Sequence, residues 1–259
     1  MKLAFTQHQG APYLRQQDCL LTGFEIIQKL DQPVKLLEAK DQILVAVADG
    51  VSASPGAELA SKFAIGCLEL AVSEYGFTNK ALRSIQEKLS SKYARTRYFG
   101  TSTTLLTAQI TGNQVKILSV GDCRAYLLTD NNQLQQLTKD HSYINQLVDE
   151  HAATESIQYA SCYNVLTDCI VADFEEVDFK IFATSLEIRQ NERLMICTDG
   201  VYETLGDELA NLINRNMSVD AQAQVIRDTV LRLGPMDNFS LMVIDAAGNS
   251  QVKHSLHAD

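Results

Sequence analysis

The chain has 259 residues, 46% of them hydrophobic and 21% charged, with a formal net charge of −10. That length and apolar content can bury one large core, and the acidic balance argues against nucleic acid or an anionic membrane surface as a partner. The N-terminal segment MKLAFTQHQG has no apolar run of the signal-peptide kind, and no stretch approaches the roughly 20 apolar residues that cross a bilayer, so a cytoplasmic protein that does not engage membranes is expected.

Six scattered cysteines, none in C-x-x-C spacing, read as reduced thiols rather than as disulfides or a zinc site. No linker-like run of Pro, Gly or Ser divides the sequence. One domain over residues 1–245 is expected, followed by a polar tail at 246–259.

The predicted elements run as follows. Residues 3–8 read as a strand. Arg15 and Asp18 then precede an apolar stretch, and taken alone they are a surface pair at i, i+3 spacing. Residues 24–38 are ambiguous, while VKLLEA at 34–39 reads as a strand paired with ILVAVA at 43–48 across a turn at Lys40-Asp41. Ser54-Pro55 is an N-cap and first-turn signal with Glu58 just inside. Leu59, Phe63, Cys67, Leu70 and Ala71 follow at helical spacing. A second helix covers 78–95, with Leu82, Ile85, Leu89 and Tyr93 facing inward.

TSTTLLTAQI at 101–110, a turn at 111–114 and VKILSV at 115–120 form a hairpin. After Gly121-Asp122, CRAYLL resumes, and a polar turn at 130–133 leads to a short strand ending near Leu137, the whole reading as an antiparallel meander. Residues 142–148 read as a short helix and 151–163 as an irregular loop. From Val177 the pattern is strand-like and rises into LMICTDG at 194–200. Helices follow at 207–213 and 219–233, and a last strand at 239–245. The predicted class is α+β, with two antiparallel sheets packed on each other and helices outside.

Three acids stand at the ends of strong apolar strands. Asp49-Gly50 closes ILVAVADG, Asp199-Gly200 closes LMICTDG, and Asp237-Asn238 opens FSLMVI. A single strand-end Asp is ordinarily a cap or turn residue. Three in comparable places suggest a gathered cluster, and gathered like charges need a cation between them. Oxygen-only donors favour Mg²⁺ or Mn²⁺, and none of the five histidines is spaced as a zinc pair. Two such ions clamp a phosphoryl group for in-line attack by water, with an Arg on the remaining oxygens. Other phosphate chemistries find no support, because the sequence contains neither C-x₅-R nor G-x₄-G-K-[ST].

Eight segments, in order, carry a resemblance to a known family. They are Arg15-Gln-Gln-Asp18, VADG at 47–50, GTSTTLL at 100–106, VGDCRAYLL at 120–128, LTKDHS at 137–142, NVLT at 164–167, CTDGVYE at 197–203 and DNFSLMVI at 237–244. The chain resembles the metal-dependent Ser/Thr protein phosphatases, the type 2C or PPM family, in its compact bacterial form. The resemblance implies a sandwich of two antiparallel β-sheets flanked by helix pairs, in α-β-β-α layers. It implies that Asp49 bridges two Mn²⁺ or Mg²⁺ ions with the Gly50 carbonyl on one, and that Asp199 and Asp237 bind the other. Asp18 acts through an outer-shell water, Arg15 binds the substrate phosphate, and Asp122 with Asp199 holds a third, weaker ion. The implied reaction is hydrolysis of phosphoserine and phosphothreonine on proteins by the hydroxide bridging the metals. The implied partner is a phosphorylated protein, the target of a Ser/Thr kinase, met by a monomer. The alternative is a catalytically impaired member acting as a phosphoprotein-binding or scaffold module.

The sequence departs from the family at Val51–Ser54, which offers neither a glycine pair nor a histidine general acid, and at Asp168, where an Arg is usual. His141 reads as a loop or cap residue rather than a catalytic one. Cys197 reads as a buried strand thiol.

Overall fold

The computed structural model describes residues 1–11, 13–39, 41–154, 165–175 and 178–246. Most of the predicted 151–163 loop and of the polar tail lies outside the described residues, as do Asn164 of the NVLT segment and Val177.

The chain opens with β1 (Lys2–His8), β2 (Cys19–Leu21), β3 (Ile26–Ile27), β4 (Asp31–Glu38) and β5 (Gln42–Ala48), then α1 (Ala57–Tyr75) and α2 (Asn79–Tyr93). Next come β6 (Ser102–Thr103), β7 (Leu105–Thr111), β8 (Gln114–Val120), β9 (Arg124–Leu128), β10 (Leu134–Gln136) and α3 (Tyr143–Asp149). The remainder is β11 (Ile170–Val171), β12 (Phe182–Glu187), β13 (Arg193–Cys197), α4 (Asp199–Leu205), α5 (Glu208–Asn211), α6 (Val219–Leu233) and β14 (Phe239–Asp245).

Two six-stranded sheets result, ordered β10-β9-β13-β14-β1-β4 and β12-β8-β7-β5-β2-β3, with a two-stranded ladder of β6 and β11 beside them. Every pairing in the six-stranded sheets is antiparallel.

The period-2 alternation of the strands sorts the core into layers. Leu3 and Phe5 of β1 point inward and meet Val45, Val47, Leu106 and Ala108 of the facing sheet, while Ala4 points outward onto the layer of α4 to α6. Val45 and Val47 point inward, while Ala46 and Ala48 face α1 and α2. Each central strand is therefore buried on both faces, which is why ILVAVA and LMIC read as continuous apolar runs. The architecture is the predicted α-β-β-α sandwich. No helix among the described residues is long and apolar enough to cross a membrane.

Four local readings are corrected. VKLLEA and ILVAVA do not form a hairpin. β4 pairs with β1 in one sheet and β5 pairs with β2 and β7 in the other, so the chain changes sheets between residues 38 and 42. The predicted meander is also split, because β8 and β9 lie in opposite sheets and the chain crosses over at Gly121–Cys123. The helix predicted at 207–213 shrinks to the single turn of α5, and a helix not foreseen, α4, begins directly on Asp199. Finally, α1 starts at Ala57 behind a left-handed Gly56, and Ser54 does not cap it. The Ser54 hydroxyl instead accepts from the Ser102 backbone N–H at 3.1 Å.

The inner face of α1 is also rotated from the predicted one. Ala60, Ala64, Ile65, Leu68 and Ala71 are buried, whereas Leu70 is 63% exposed. Small alanines at 60, 64 and 71 let the helix approach the sheet closely, and Ile65 and Leu68 complete the inward stripe. Two substitutions separate the readings. Leu68→Ala is expected to cost roughly 2–5 kcal/mol in urea unfolding, and Leu70→Ala to stay within about 0.5 kcal/mol of wild type. The reverse order would restore the stripe read from the sequence.

Candidate metal centre

Strand register brings five aspartates to one end of the sandwich. In one sheet Cys197 pairs with Leu241 and with Arg124, so the end of β13 and the starts of β14 and β9 share an edge. Asp199, Asp237 and Asp122 stand just beyond those three strand ends. In the other sheet Cys19 pairs with Ala48, which sets Asp18 and Asp49 at the matching edge. Asp49 feels the negative charge of Asp199, Asp18, Asp122 and Asp237, so the five form one electrostatic cluster.

Hydrogen bonds from neighbouring elements fix each member. Asp18 is fully buried, and its Oδ2 accepts from the hydroxyls of Thr198 and Ser240, each at 2.8 Å. Gln7 donates to the Asp18 carbonyl at 3.3 Å and to Ser240 Oγ at 3.0 Å, tying β1 into the same knot. The Asp49 backbone is clamped by Thr103 and Thr104. Both the Thr103 hydroxyl and the Thr104 N–H donate to its carbonyl at 2.8 Å, and its own N–H donates to Thr104 Oγ1 at 2.9 Å. Beside Asp237, the Asn238 side chain accepts from the Gln17 backbone N–H and donates to the Gln9 carbonyl.

Two glycines are dictated by close approach. A Cβ on Gly50 would stand 2.4 Å from the Ala57 carbonyl oxygen, and one on Gly200 would stand 2.2 Å from that of Asn238. Both obstacles are backbone, so the Asp-Gly pairs allow the loops to pack tightly around the acids.

Burial is the main cause of the altered proton affinities. Asp18 and Asp122 are each pushed up to about 7, by desolvation first. Asp49 and Asp199 are pushed well above the usual carboxylate range by burial and then by neighbouring acids, and Asp237 is raised as well. Asp18 has no solvent access, whereas Asp49, Asp122, Asp199 and Asp237 remain partly exposed.

The donor set fits hard divalent cations. The Oδ1 atoms of Asp18, Asp122 and Asp199 are buried and make no hydrogen bond, an arrangement costly for a carboxylate unless something else satisfies it. All side-chain donors are oxygen, which suits Mg²⁺ or Mn²⁺. Among the described residues no three His, Cys, Asp or Glu side chains close tightly enough to cage an ion. The orphaned oxygens and the donor chemistry point to the cation.

Arg15 stands apart from the cluster. Its largely exposed guanidinium pairs with Glu58 in the first turn of α1. Asp168 accepts from the Lys180 backbone N–H at 2.7 Å and from the Thr167 hydroxyl at 3.0 Å, which makes it a loop-fixing residue here. His141 bonds to the loop at Gly121. Its Nδ1 accepts from the Gly121 N–H at 3.1 Å and its own N–H donates to the Gly121 carbonyl at 3.0 Å. Cys197 is fully buried in its strand.

A supporting network escaped the reading of individual residues. Arg124 Nε donates to both carboxylate oxygens of Asp140, at 3.1 and 3.0 Å, and Nη2 adds a bond at 2.6 Å. The guanidinium lies 3.5 Å from the Tyr202 ring centroid, and the Tyr202 hydroxyl donates to the Asp122 carbonyl at 3.2 Å. Arg124 and Asp140 both sit in segments already singled out, VGDCR and TKDHS, but nothing in one sequence pairs them.

A family model for protein phosphatase 2C matches residues 34–233. The chain belongs to the protein phosphatase 2C family. Among curated relatives, it is 28% identical over 209 residues to the serine/threonine protein phosphatase PstP of Mycobacterium tuberculosis, covering 78% of this chain and 40% of the relative. The chain thus spans less than half the length of that larger protein. It is 26% identical over 226 residues to the serine/threonine phosphatase stp of Listeria welshimeri, covering 81% and 87%. Among solved structures, Stp1 of Staphylococcus aureus superposes with a TM-score of 0.74 at 22% identity, covering 94% of each chain. The catalytic domain of PstP in complex with two manganese ions gives 0.67 at 23% identity, covering 94% of this chain and 98% of that one. At these identities the structural matches establish the protein phosphatase 2C fold.

The raised carboxylates imply a pH-dependent stability. Each binds its proton more tightly folded than unfolded, where its pKa is about 4. For Asp18 and Asp122 the penalty is therefore absent at low pH, grows as pH rises from about 4 through 7, and is full above it. In chelator, Asp122→Asn is expected to be more stable than wild type by roughly 1–3 kcal/mol at pH 8, with the gap closing toward pH 5. A gap that widens on acidification in thermal unfolding would contradict this account.

Proposed function

We propose that the protein is a metal-dependent phosphatase that hydrolyses phosphoserine and phosphothreonine on proteins. The observation that carries the reading is the cluster of Asp18, Asp49, Asp122, Asp199 and Asp237, with three buried carboxylate oxygens lacking partners. Family membership and the phosphatase names of the relatives support it.

Asp49, the Gly50 carbonyl, Asp199 and Asp237 would hold two Mn²⁺ or Mg²⁺ ions, and Asp122 with Asp199 a weaker third. When bound, such ions supply charge neutralisation and an activated water for attack on phosphorus. The chain's own residues do the rest. Asp18, locked by Thr198 and Ser240, holds the outer positions from behind. Arg15, three residues before Asp18 in the chain, would leave Glu58 to meet the free phosphoryl oxygens as a guanidinium fork. With no histidine at Val51–Ser54, the leaving oxygen would take its proton from water. The substrates would be targets of a Ser/Thr kinase, met in the cytoplasm by a monomer.

The test is phosphate release from a phosphothreonine peptide with Mn²⁺ or EDTA. Wild type is expected to act only with the metal, and Asp199→Asn to lose at least about a hundredfold in kcat. Folded wild type that binds the peptide without cleaving it would instead indicate a binding module.

A further inference from the structure

We propose that the face formed by α1 and the end of α2 docks an acidic segment of the phosphoprotein substrate; this rests on the phosphatase reading above. The chain's net charge is −10, yet Lys62, Lys92 and Arg97 lie on this face, Arg95 follows directly on the end of α2, and all four are exposed. Among the described residues none of the four makes an ion pair. Glu58, one turn before Lys62, is engaged by Arg15, and Glu74 pairs with Lys88.

The surface is built rather than incidental. Phe63, Tyr93 and Tyr98 form an aromatic ladder with edge-on contacts of 5.7 and 5.9 Å. Lys92 Nζ lies 4.7 Å from the Phe63 ring centroid, and the Arg97 guanidinium lies 4.9 Å from that of Tyr98 while donating to its hydroxyl at 2.7 Å. Aromatic faces hold a cation in place without cancelling its charge, so the positive field stays available to a partner. Lys62 and Lys92 also line an open groove of about 320 Å³ between the two helices, beside Leu59 and Gly66. Nothing lies within 4 Å of where a Gly66 Cβ would stand, so the groove is unobstructed there.

The patch is tied through the backbone to the segment that carries Asp49. Tyr98 packs against Gly56, which ends the loop begun at Asp49-Gly50. Thr101 Oγ1 donates to the Gly56 carbonyl at 3.1 Å, and Thr103 to that of Asp49 at 2.8 Å. Tyr98 and Thr103 are five residues apart, a reach of at most about 18 Å. An extended peptide with its phosphoresidue at the carboxylates would thus lay acidic residues on the patch about five positions away. A short acidic segment fits better than nucleic acid, because the surrounding negative surface repels a long polyanion.

The experiment compares two phosphothreonine peptides, one neutral and one with glutamates about five residues from the phosphothreonine. Each is assayed with the full chain and Mn²⁺, beside p-nitrophenyl phosphate as a baseline. Wild type is expected to favour the acidic peptide in kcat/KM by roughly tenfold, four exposed charge contacts combining to that extent. The preference should vanish at about 0.5 M salt and in Lys62→Gln/Arg95→Gln/Arg97→Gln, with the small substrate unaffected. No preference in wild type, or a preference the variant retains, overturns the proposal. So does tighter retention of a single-stranded oligonucleotide than of the acidic peptide. If no substrate is cleaved at all, the phosphatase reading fails separately. Docking is then decided by fluorescence anisotropy of the acidic peptide, where binding lost in the variant sustains it and no binding overturns it.

Discussion

Five carboxylates held within reach of one another lose hydration and repel, so the backbone has to force them together. The fold does so by register. Antiparallel ladders fix which strand ends coincide, and the two sheets stack with those ends on the same side. The repulsion is then borne by the large apolar interface between the sheets, where Leu3, Phe5, Val45, Val47, Leu106 and Ile196 are fully buried. The site is in this sense a load that the core carries.

Small polar residues do the finer work. Thr198 and Ser240 address one carboxylate and Gln7 the backbone of the same residue, Thr103 and Thr104 a second acid's backbone, and Asn238 the segment leading into Asp18. Apart from Gln7, each uses a short side chain with few rotamers, so little freedom is lost in holding the geometry. The Arg124–Asp140 pair serves the same end for Asp122, reaching it through Tyr202. A charged pair of this kind, well bonded on both sides, adds a defined arrangement more than it adds stability.

Much of this was legible in the sequence. ILVAVADG, LMICTDG and DNFSLMVI marked the central strands and three of the acids, because doubly buried strands must be apolar throughout and an acid at their mouths has no packing role. The resemblance supplied Asp18 and Asp122. The pairing of VKLLEA with ILVAVA was misread because sequence neighbours make the default hairpin, and only the sheet-to-sheet stacking reveals a crossover. The α1 stripe was misread because size suggested burial, whereas close helix–sheet approach favours Ala60 and Ala64. The α4 helix was hidden by the strand before it. The partners Thr198, Ser240 and Gln7 carry no signal of their own, since contacts of this kind between distant residues leave no local spacing to read.

The pairing of β1 with β14, seven registered residues long, sits in the middle of one sheet and joins segments more than two hundred residues apart. Asn238, at the mouth of β14, grips Gln9 and Gln17 from the start of the chain. The cluster therefore cannot exist in a partly synthesised polypeptide. While residues 237–245 are still being made, β13 and β1 lack the strand that joins them, and β1 waits with an open edge that favours misassociation. Such non-local closure is slow. Completion of the last strand is therefore the step that brings Asp237 and its neighbours up to Asp18 and Asp49.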